Sequence, residues 1–230
     1  MMKVLDSAVP VACWSCSVAH NESTLFCPHC SKIQPPQVGD YFSVFSLDPR
    51  LNIDLAALEQ EFHRLSRRLH PDRFARSSDS EKEWSLADTA LLNDAYRTLK
   101  DPLRRTEYLL KRSGAEIGEE HAGKDRRDPS RAPADLLEEV FDLNMQIEEM
   151  RMTKASGETD AEVEKTLAEA KAKFEGLVDE VDRDLRAQWN AWDEGDEAQR
   201  KTAQSAMVAL LDRRRYLNNL VRDVTETLGA

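Results

Sequence analysis

At 230 residues, with a net charge of −11 and about a third of its residues charged, the chain is long enough to bury a sizeable core divided among two or three small units. It contains no apolar run near the roughly 20 residues of a membrane span and, ahead of Cys13, neither a signal-like apolar region nor an Arg-rich presequence, which sets the expectation of a cytoplasmic protein with no membrane partner. From Ala134 onward 13 Lys and Arg face 23 Asp and Glu, and so acidic a half argues against nucleic acid as a partner, because phosphate-backbone binding needs a basic stripe.

All four cysteines fall in residues 11–34, as Cys13-x2-Cys16 and Cys27-x2-Cys30 with ten residues between the pairs. Each pair places two thiolates on one tight turn, and two such turns complete a tetrahedral metal site. So short a segment has no hydrophobic core, so a metal would supply its folding energy. Zinc in a structural role is the first choice, with iron the alternative in a thiolate site. A redox role is the weaker reading, since two pairs occur and no βαβ pattern surrounds them.

Pro35-Pro36 reads as a stiff connector leading to Gly39. An apolar stretch from Tyr41 to Leu47 follows, closed by Asp48-Pro49. The first long helix is expected from about Ile53 to Leu69, with Asp54 at its cap and Leu55, Leu58, Phe62, Leu65 and Leu69 at helical spacing. A second covers roughly Ser80 to Lys100, with Trp84, Leu91, Leu92, Ala95 and Leu99 apolar. Asp101-Pro102 opens a shorter helix through Leu110, ended near Gly114.

Between the first two long helices stands His70-Pro71-Asp72. The proline stops the helix and pushes His70 towards an extended conformation, so His70 and Asp72 project from an exposed turn. The preceding helix carries Arg64, Arg67 and Arg68 on its final turns; the following one carries Leu92-Asn93-Asp94-Ala95-Tyr96-Arg97-Thr98-Leu99, then Asp101-Pro102-Leu103-Arg104-Arg105. A tripeptide alone is a helix terminus. In this setting the segment resembles a J-domain, which implies that His70, Pro71 and Asp72 contact a DnaK-type chaperone and stimulate its ATP hydrolysis. The basic helix face of Arg64, Arg67 and Arg68 would then meet an acidic partner surface; an ordinary solvated charge run is the alternative.

Residues 113–133 are polar and rich in Gly and Pro, the composition of a linker. Three long helical patterns follow, at about 134–154, 159–192 and 197–228, broken by Ser156-Gly157 and Gly195. On the first, Leu136, Val140, Leu143, Ile147 and Met150 form one stripe. Leu137, Phe141, Met145 and Met152 form a second, roughly 150° away by helical-wheel geometry. One stripe can enter a bundle core. The other, with Glu138, Asp142, Glu148 and Glu149 around it, suits a positively charged partner, unless both faces are buried between helices. On the second pattern, Val163, Leu167, Ala170, Phe174, Leu177 and Val181 repeat as the seam of an antiparallel bundle.

Asp40-Tyr41-Phe42 with Phe45 and Leu47, the run Arg105-Thr106-Glu107-Tyr108-Leu109-Leu110 and the acidic helical C-terminal half resemble the HscB family of co-chaperones. The resemblance covers about residues 40–112 and extends over 135–152. It implies that the helix at 135–152 docks an iron–sulfur cluster scaffold protein through Leu137, Phe141, Asp142 and Glu149, with Tyr216 on the last helix. Tyr216 lies roughly 110° from the centre of the stripe of Met207, Leu210, Leu217, Val221 and Val224, so it need not be core. Met145, where the family tends to have an acid, and Glu138, where it tends to be apolar, depart from the pattern. Some HscB-like proteins carry an N-terminal tetracysteine zinc module, which fits Cys13, Cys16, Cys27 and Cys30.

The expectation is an all-α protein with a small four-cysteine metal-binding head: residues 11–34 the zinc-binding segment, 39–112 a J-domain helical hairpin, 113–133 a linker, and 134–230 a C-terminal three-helix bundle that binds the client. It is not an enzyme. It stimulates the ATPase of a DnaK/HscA-type chaperone and delivers the scaffold to it. A J-domain adaptor for unrelated clients and a zinc-dependent nucleic-acid-binding or regulatory protein are the rival readings.

Overall fold

The computed structural model describes residues 11–20, 24–36, 40–118, 133–157 and 160–229. Gly39 and positions 119–132 of the expected linker lie outside them. The chain divides into two compact units, Met1–Leu109 and Leu110–Ala230.

In the first unit, strands β1 (Val11–Ala12) and β2 (Ala19–His20) pair antiparallel, and short helix α1 (Tyr41–Val44) forms from the apolar stretch after the double proline. Helices α2 (Leu55–Leu69) and α3 (Asp79–Lys100) form the hairpin. Asp54 caps α2 by accepting from the Ala56 and Ala57 amides, and Ser78 opens α3 in a capping box with Glu81; both satisfy amides that the first turn leaves unbonded. The α2 stripe enters the core from Leu58 onward, whereas Leu55 in the first turn is half exposed. The five residues keep their helical spacing, but the first residue of a helix can satisfy the periodicity without having a neighbour to pack on.

Helix α4 (Pro102–Arg112) runs about half a turn beyond Leu110. Asp101 caps it through the Leu103 and Arg104 amides. Arg105 is buried and donates Nε to the Leu51 carbonyl at 2.9 Å and Nη1 to the Leu99 carbonyl, so one guanidinium fastens α4 to the loop before α2 and to the end of α3. Tyr108 stacks on Tyr41, accepts from the Tyr41 amide and donates to Asp40, the cap of α1.

In the second unit, a single 3-10 turn (Ala134–Leu136) leads into α5 (Leu137–Ala155), which bundles with α6 (Ala161–Ala187) and α8 (Glu197–Leu228). Val140, Leu143, Ile147 and Met150 of α5 meet Leu167, Phe174, Val178 and Val181 of α6 and Leu217, Leu220 and Val224 of α8. The single helix expected over 159–192 is divided: Gln188 bonds back to Leu185 in a tightened turn, and α7 (Trp189–Glu194) follows with Trp189 buried. Gly195 separates α7 from α8 because a Cβ there would stand 2.2 Å from the Ala191 carbonyl oxygen. At the far end, Lys154 of α5 donates to the Thr227 and Leu228 carbonyls, which the last turn of α8 leaves open. Among the described residues no helix is long and apolar enough to cross a membrane.

One core position breaks the pattern. Ser85, Asp88, Leu92, Ala95 and Leu99 share the buried face of α3. Ser85 is satisfied, its hydroxyl donating to the Leu69 carbonyl at 2.6 Å. The Asp88 carboxylate is 1% exposed, and neither oxygen has a hydrogen-bond partner among the described residues. Burial raises its pKa from 3.8 to about 7, because the charged form loses water and gains nothing in return. A carboxyl that binds its proton more tightly when folded favours the folded state at low pH, and this advantage is lost as pH climbs from about 4 to about 7. Asp88→Asn, neutral at every pH, is expected to stabilise the protein at pH 8 by about 1–3 kcal/mol and to flatten the stability profile between about pH 4 and 7. Urea denaturation across that range is the measurement; equal stabilities of the two proteins at about pH 8 would contradict it.

Candidate functional site

The turn after α2 is built by a helix that cannot continue. His70 is extended (φ −53°, ψ 129°) ahead of Pro71, and residues Pro71–Phe74 form one 3-10 turn stitched by the Arg73 amide to the His70 carbonyl at 2.9 Å. Phe74 is buried and anchors the turn, while the His70 and Asp72 side chains are 60% and 90% exposed. The Asp72 amide donates to His70 Nδ1 at 3.3 Å, and the Asp72 carboxylate lies 3.5 Å from the same nitrogen. The tripeptide therefore presents an imidazole and a carboxylate side by side to solvent.

The expected basic face is only partly free. Arg67 and Arg64 line the outer side of α2, but Arg64 forks onto Glu61, with Nε to Oε2 at 2.7 Å. That hydrogen bond holds the Glu61 carboxyl below its usual range. Arg68 does not fit the alternative of an ordinary solvated charge run: its guanidinium lies 3.9 Å from the Phe26 ring centroid in the cysteine-rich segment. Arg73 and Arg76, exposed in and after the turn, enlarge the basic area. Periodicity does not find them because they follow the proline instead of sharing the α2 face.

On α5 the two stripes separate. Val140, Leu143, Ile147 and Met150 are buried, while Leu137, Phe141, Met145 and Met152 are 46%, 59%, 57% and 75% exposed. The exposed residues form a strip about 22 Å long at roughly 1.5 Å per residue. Asp142 and Glu149 flank it and are exposed, as is Glu138. Tyr216 is half-buried and packs against the bundle core, because a ring about 110° off the stripe centre still reaches the partly covered edge of a three-helix bundle.

The four cysteine sulfurs lie within 4.8 Å of one another, with Cys13–Cys30 at 3.6 Å and Cys16–Cys27 at 3.7 Å. A tetrahedron of sulfurs about 2.3 Å from a central ion has edges of about 3.8 Å, so the donor set fits a four-thiolate metal site. The two turns are copies. In each, the first cysteine donates its amide to a carbonyl five residues on, Cys13 to Val18 and Cys27 to Lys32, and a serine, Ser17 or Ser31, bonds back to it. Both serines adopt positive φ, 61° and 60°, a conformation that two unrelated turns would not share by accident of composition. Although burial would raise the Cys13 thiol, the Cys16 and Ser15 amides lower it to about 6. Cys16 rises to about 12: the Val18 amide would lower it, but burial and three neighbouring sulfurs outweigh that. Four thiols in contact cannot all ionise unless a cation compensates them. His20, buried beside them, bonds Gln34 and Thr24.

This segment is docked on the hairpin by contacts that sequence spacing does not reveal. The Trp14 and Trp84 rings meet edge-on at 5.7 Å and Lys32 pairs with Glu81 at 3.0 Å, while within the segment Trp14 Nε1 donates to the Ile33 carbonyl at 2.7 Å. Glu81 is buried, and the Lys32 hydrogen bond is the first cause holding its carboxyl below the ordinary range. Sequence spacing places Trp84 among the core residues of α3; its partner is instead the head.

No protein-family model matches the chain. The iron-sulfur cluster co-chaperone protein HscB of Mus musculus is 32% identical over 212 residues, which are 90% of this chain and 79% of the mouse protein. The co-chaperone protein HscB homolog of Shewanella halifaxensis is 43% identical over 81 residues, 35% of this chain and 47% of that protein. The crystal structure of human co-chaperone protein HscB superposes with a TM-score of 0.64 at 25% identity, covering 94% of this chain and 98% of the human one. A helical hairpin with an exposed His-Pro-Asp turn, a three-helix bundle with a leftover apolar strip, and identity of this extent over nearly the whole chain lead to one statement: this protein belongs to the HscB family.

Proposed function

We propose that the chain is a J-domain co-chaperone of iron–sulfur cluster assembly, which stimulates a DnaK/HscA-type ATPase chaperone and hands it a scaffold protein. The exposed His70-Pro71-Asp72 turn, held between α2 and α3 with arginines around it, carries this reading. In it residues 39–112 are the J-domain, 134–230 the client-binding domain, and 113–133 the tether that keeps client and stimulus together, raising the client's concentration beside the chaperone. The chain supplies contacts, not catalysis: ATP is hydrolysed on the partner. His70, Pro71 and Asp72 with Arg64, Arg67 and Arg68 face that partner.

The scaffold is assigned to the exposed strip of Leu137 and Phe141 with Asp142 and Glu149, and Tyr216 at its margin. An apolar strip edged by carboxylates suits a partner with apolar and basic surface. The metal is assigned as zinc, held by Cys13, Cys16, Cys27 and Cys30 in a closed structural site where it would supply folding energy to a segment with little core. The site of action is assigned to the cytoplasm, where a reducing environment keeps clustered cysteines available to a metal.

His70→Gln is expected to abolish ATPase stimulation of the DnaK-type chaperone with helical content unchanged; full stimulation by that variant would sink the J-domain reading. Leu137→Ala combined with Phe141→Ala is expected to weaken scaffold binding by about 2–4 kcal/mol, yet to leave the melting temperature nearly unmoved, because half-exposed side chains contribute little to the core. A destabilised double mutant that still binds scaffold with wild-type affinity would move the site elsewhere. Freshly reduced protein is expected to hold about one zinc per chain, lost on Cys13→Ala or Cys30→Ala with little change in helix content. Disulfides without metal, found by mass spectrometry, would refute the assignment.

A further inference from the structure

A groove of about 610 Å³ runs between the cysteine-rich segment and the hairpin. Phe26 and Lys32 line it from the segment, and Arg64, Arg68 and Arg73 from α2 and the turn that follows. Among the described residues, four cations thus share one depression with a single carboxylate, Glu81. That carboxylate is already committed to Lys32 and to Ser78, and Arg64 is answered by Glu61. Neither Arg68 nor Arg73 forms an ion pair with a carboxylate among the described residues. The gathering has a cost: Arg68 is held below its ordinary pKa first by burial and then by repulsion from Arg64 and Arg73, which the attraction of Glu61 offsets only in part. Like charges drawn together and partly desolvated are relieved when an anion enters.

Three features say which anion. Arg73 directly follows His70-Pro71-Asp72, and Phe74 of the same turn also lines the groove, so whatever meets the tripeptide meets the groove. The Arg68 guanidinium lies 3.9 Å from the Phe26 ring centroid, a contact that holds it in place for a planar carboxylate. The first 133 residues are close to charge balance, with 19 Lys and Arg against 20 Asp and Glu, so the cations form a local pocket and not the long basic stripe that a nucleic acid requires.

We propose that the metal-bound segment and the hairpin are one recognition surface, in which Lys32 and Phe26 complete with Arg64, Arg68 and Arg73 a groove that takes an acidic segment of the ATPase chaperone. This rests on the co-chaperone reading above and adds the head to the partner-facing surface. The head is fixed there by Trp14 on Trp84 and Lys32 on Glu81, so it contributes at low entropic cost.

The test is ATPase stimulation of the DnaK-type chaperone, titrated with full-length, zinc-loaded protein at several salt concentrations. Lys32→Met keeps the aliphatic stem beside Trp14 and removes the charge; Arg73→Ala removes the cation next to the tripeptide. Each is expected to raise the half-maximal concentration by about three- to tenfold, with the plateau and zinc content unchanged and a shallower salt dependence. Lys32→Glu should exceed about tenfold. Lys32→Met and Lys32→Glu proteins that titrate like wild type, while Arg73→Ala is weakened, would overturn the part assigned to the head. So would a Lys32→Met protein that loses affinity for a short DNA duplex but not for the chaperone. Full stimulation by the His70→Gln control would instead overturn the co-chaperone reading itself, so the two failures are distinguishable.

Discussion

The hydrogen bond from Ser85 to the Leu69 carbonyl, 2.6 Å long and wholly buried, sits where the first unit turns from structure into signal. Leu69 is the last residue of α2, and Pro71, which has no N–H, ends the helix there. The last carbonyls of a helix lack intrahelical partners, and a buried one left open would cost on the order of 1–3 kcal/mol. By satisfying that carbonyl from α3, Ser85 locks the end of one helix against the side of the next. The tripeptide therefore leaves the hairpin from a fixed edge, with Phe74 buried beneath it. The exposed His70 leaves the hairpin from this junction, while Glu61 and Phe26 hold Arg64 and Arg68 beside it.

The cysteine-rich segment belongs to the unit through its contacts with the hairpin, Trp14 on Trp84, Lys32 on Glu81 and Phe26 on Arg68. Its two matching turns hold four sulfurs at spacings that suit one ion, while its outer side chains lean on the hairpin. Glu81 joins the two parts. It closes the capping box at the start of α3 and also receives Lys32 of the head. A carboxylate near a helix N-terminus is favourable in any case, so one side chain stabilises the helix and ties the head to it.

In the second unit the governing feature is a helix with more apolar surface than its bundle can cover. Helix α5 contributes Val140, Leu143, Ile147 and Met150 to a core shared with α6 and α8. A three-helix bundle covers one side of each helix, so the opposite stripe stays in water. Leu137, Phe141, Met145 and Met152 are spaced to stay contiguous along it, and a solvated apolar strip of this length is uncommon unless something covers it. That logic, rather than periodicity alone, supports its assignment as the scaffold face.

Much of this protein is legible in the sequence because the signals are local. Cys13-x2-Cys16 and Cys27-x2-Cys30 determine their own turns, Pro71 stops its own helix, and the two stripes of α5 follow from about 3.6 residues per turn. Such features depend on neighbours a few residues away, so composition and spacing determine them. Tertiary structure decided the pairings between distant residues: Arg68 with Phe26, Trp14 with Trp84, Lys32 with Glu81, and the packing of Tyr216 on the bundle. The buried Asp88 belongs to the same group, since its helical position looks like that of any acid on a charged helix until the unit closes over it. A contact across tens of residues leaves no periodic trace in the chain, because which faces meet is settled only when all the elements have packed at once.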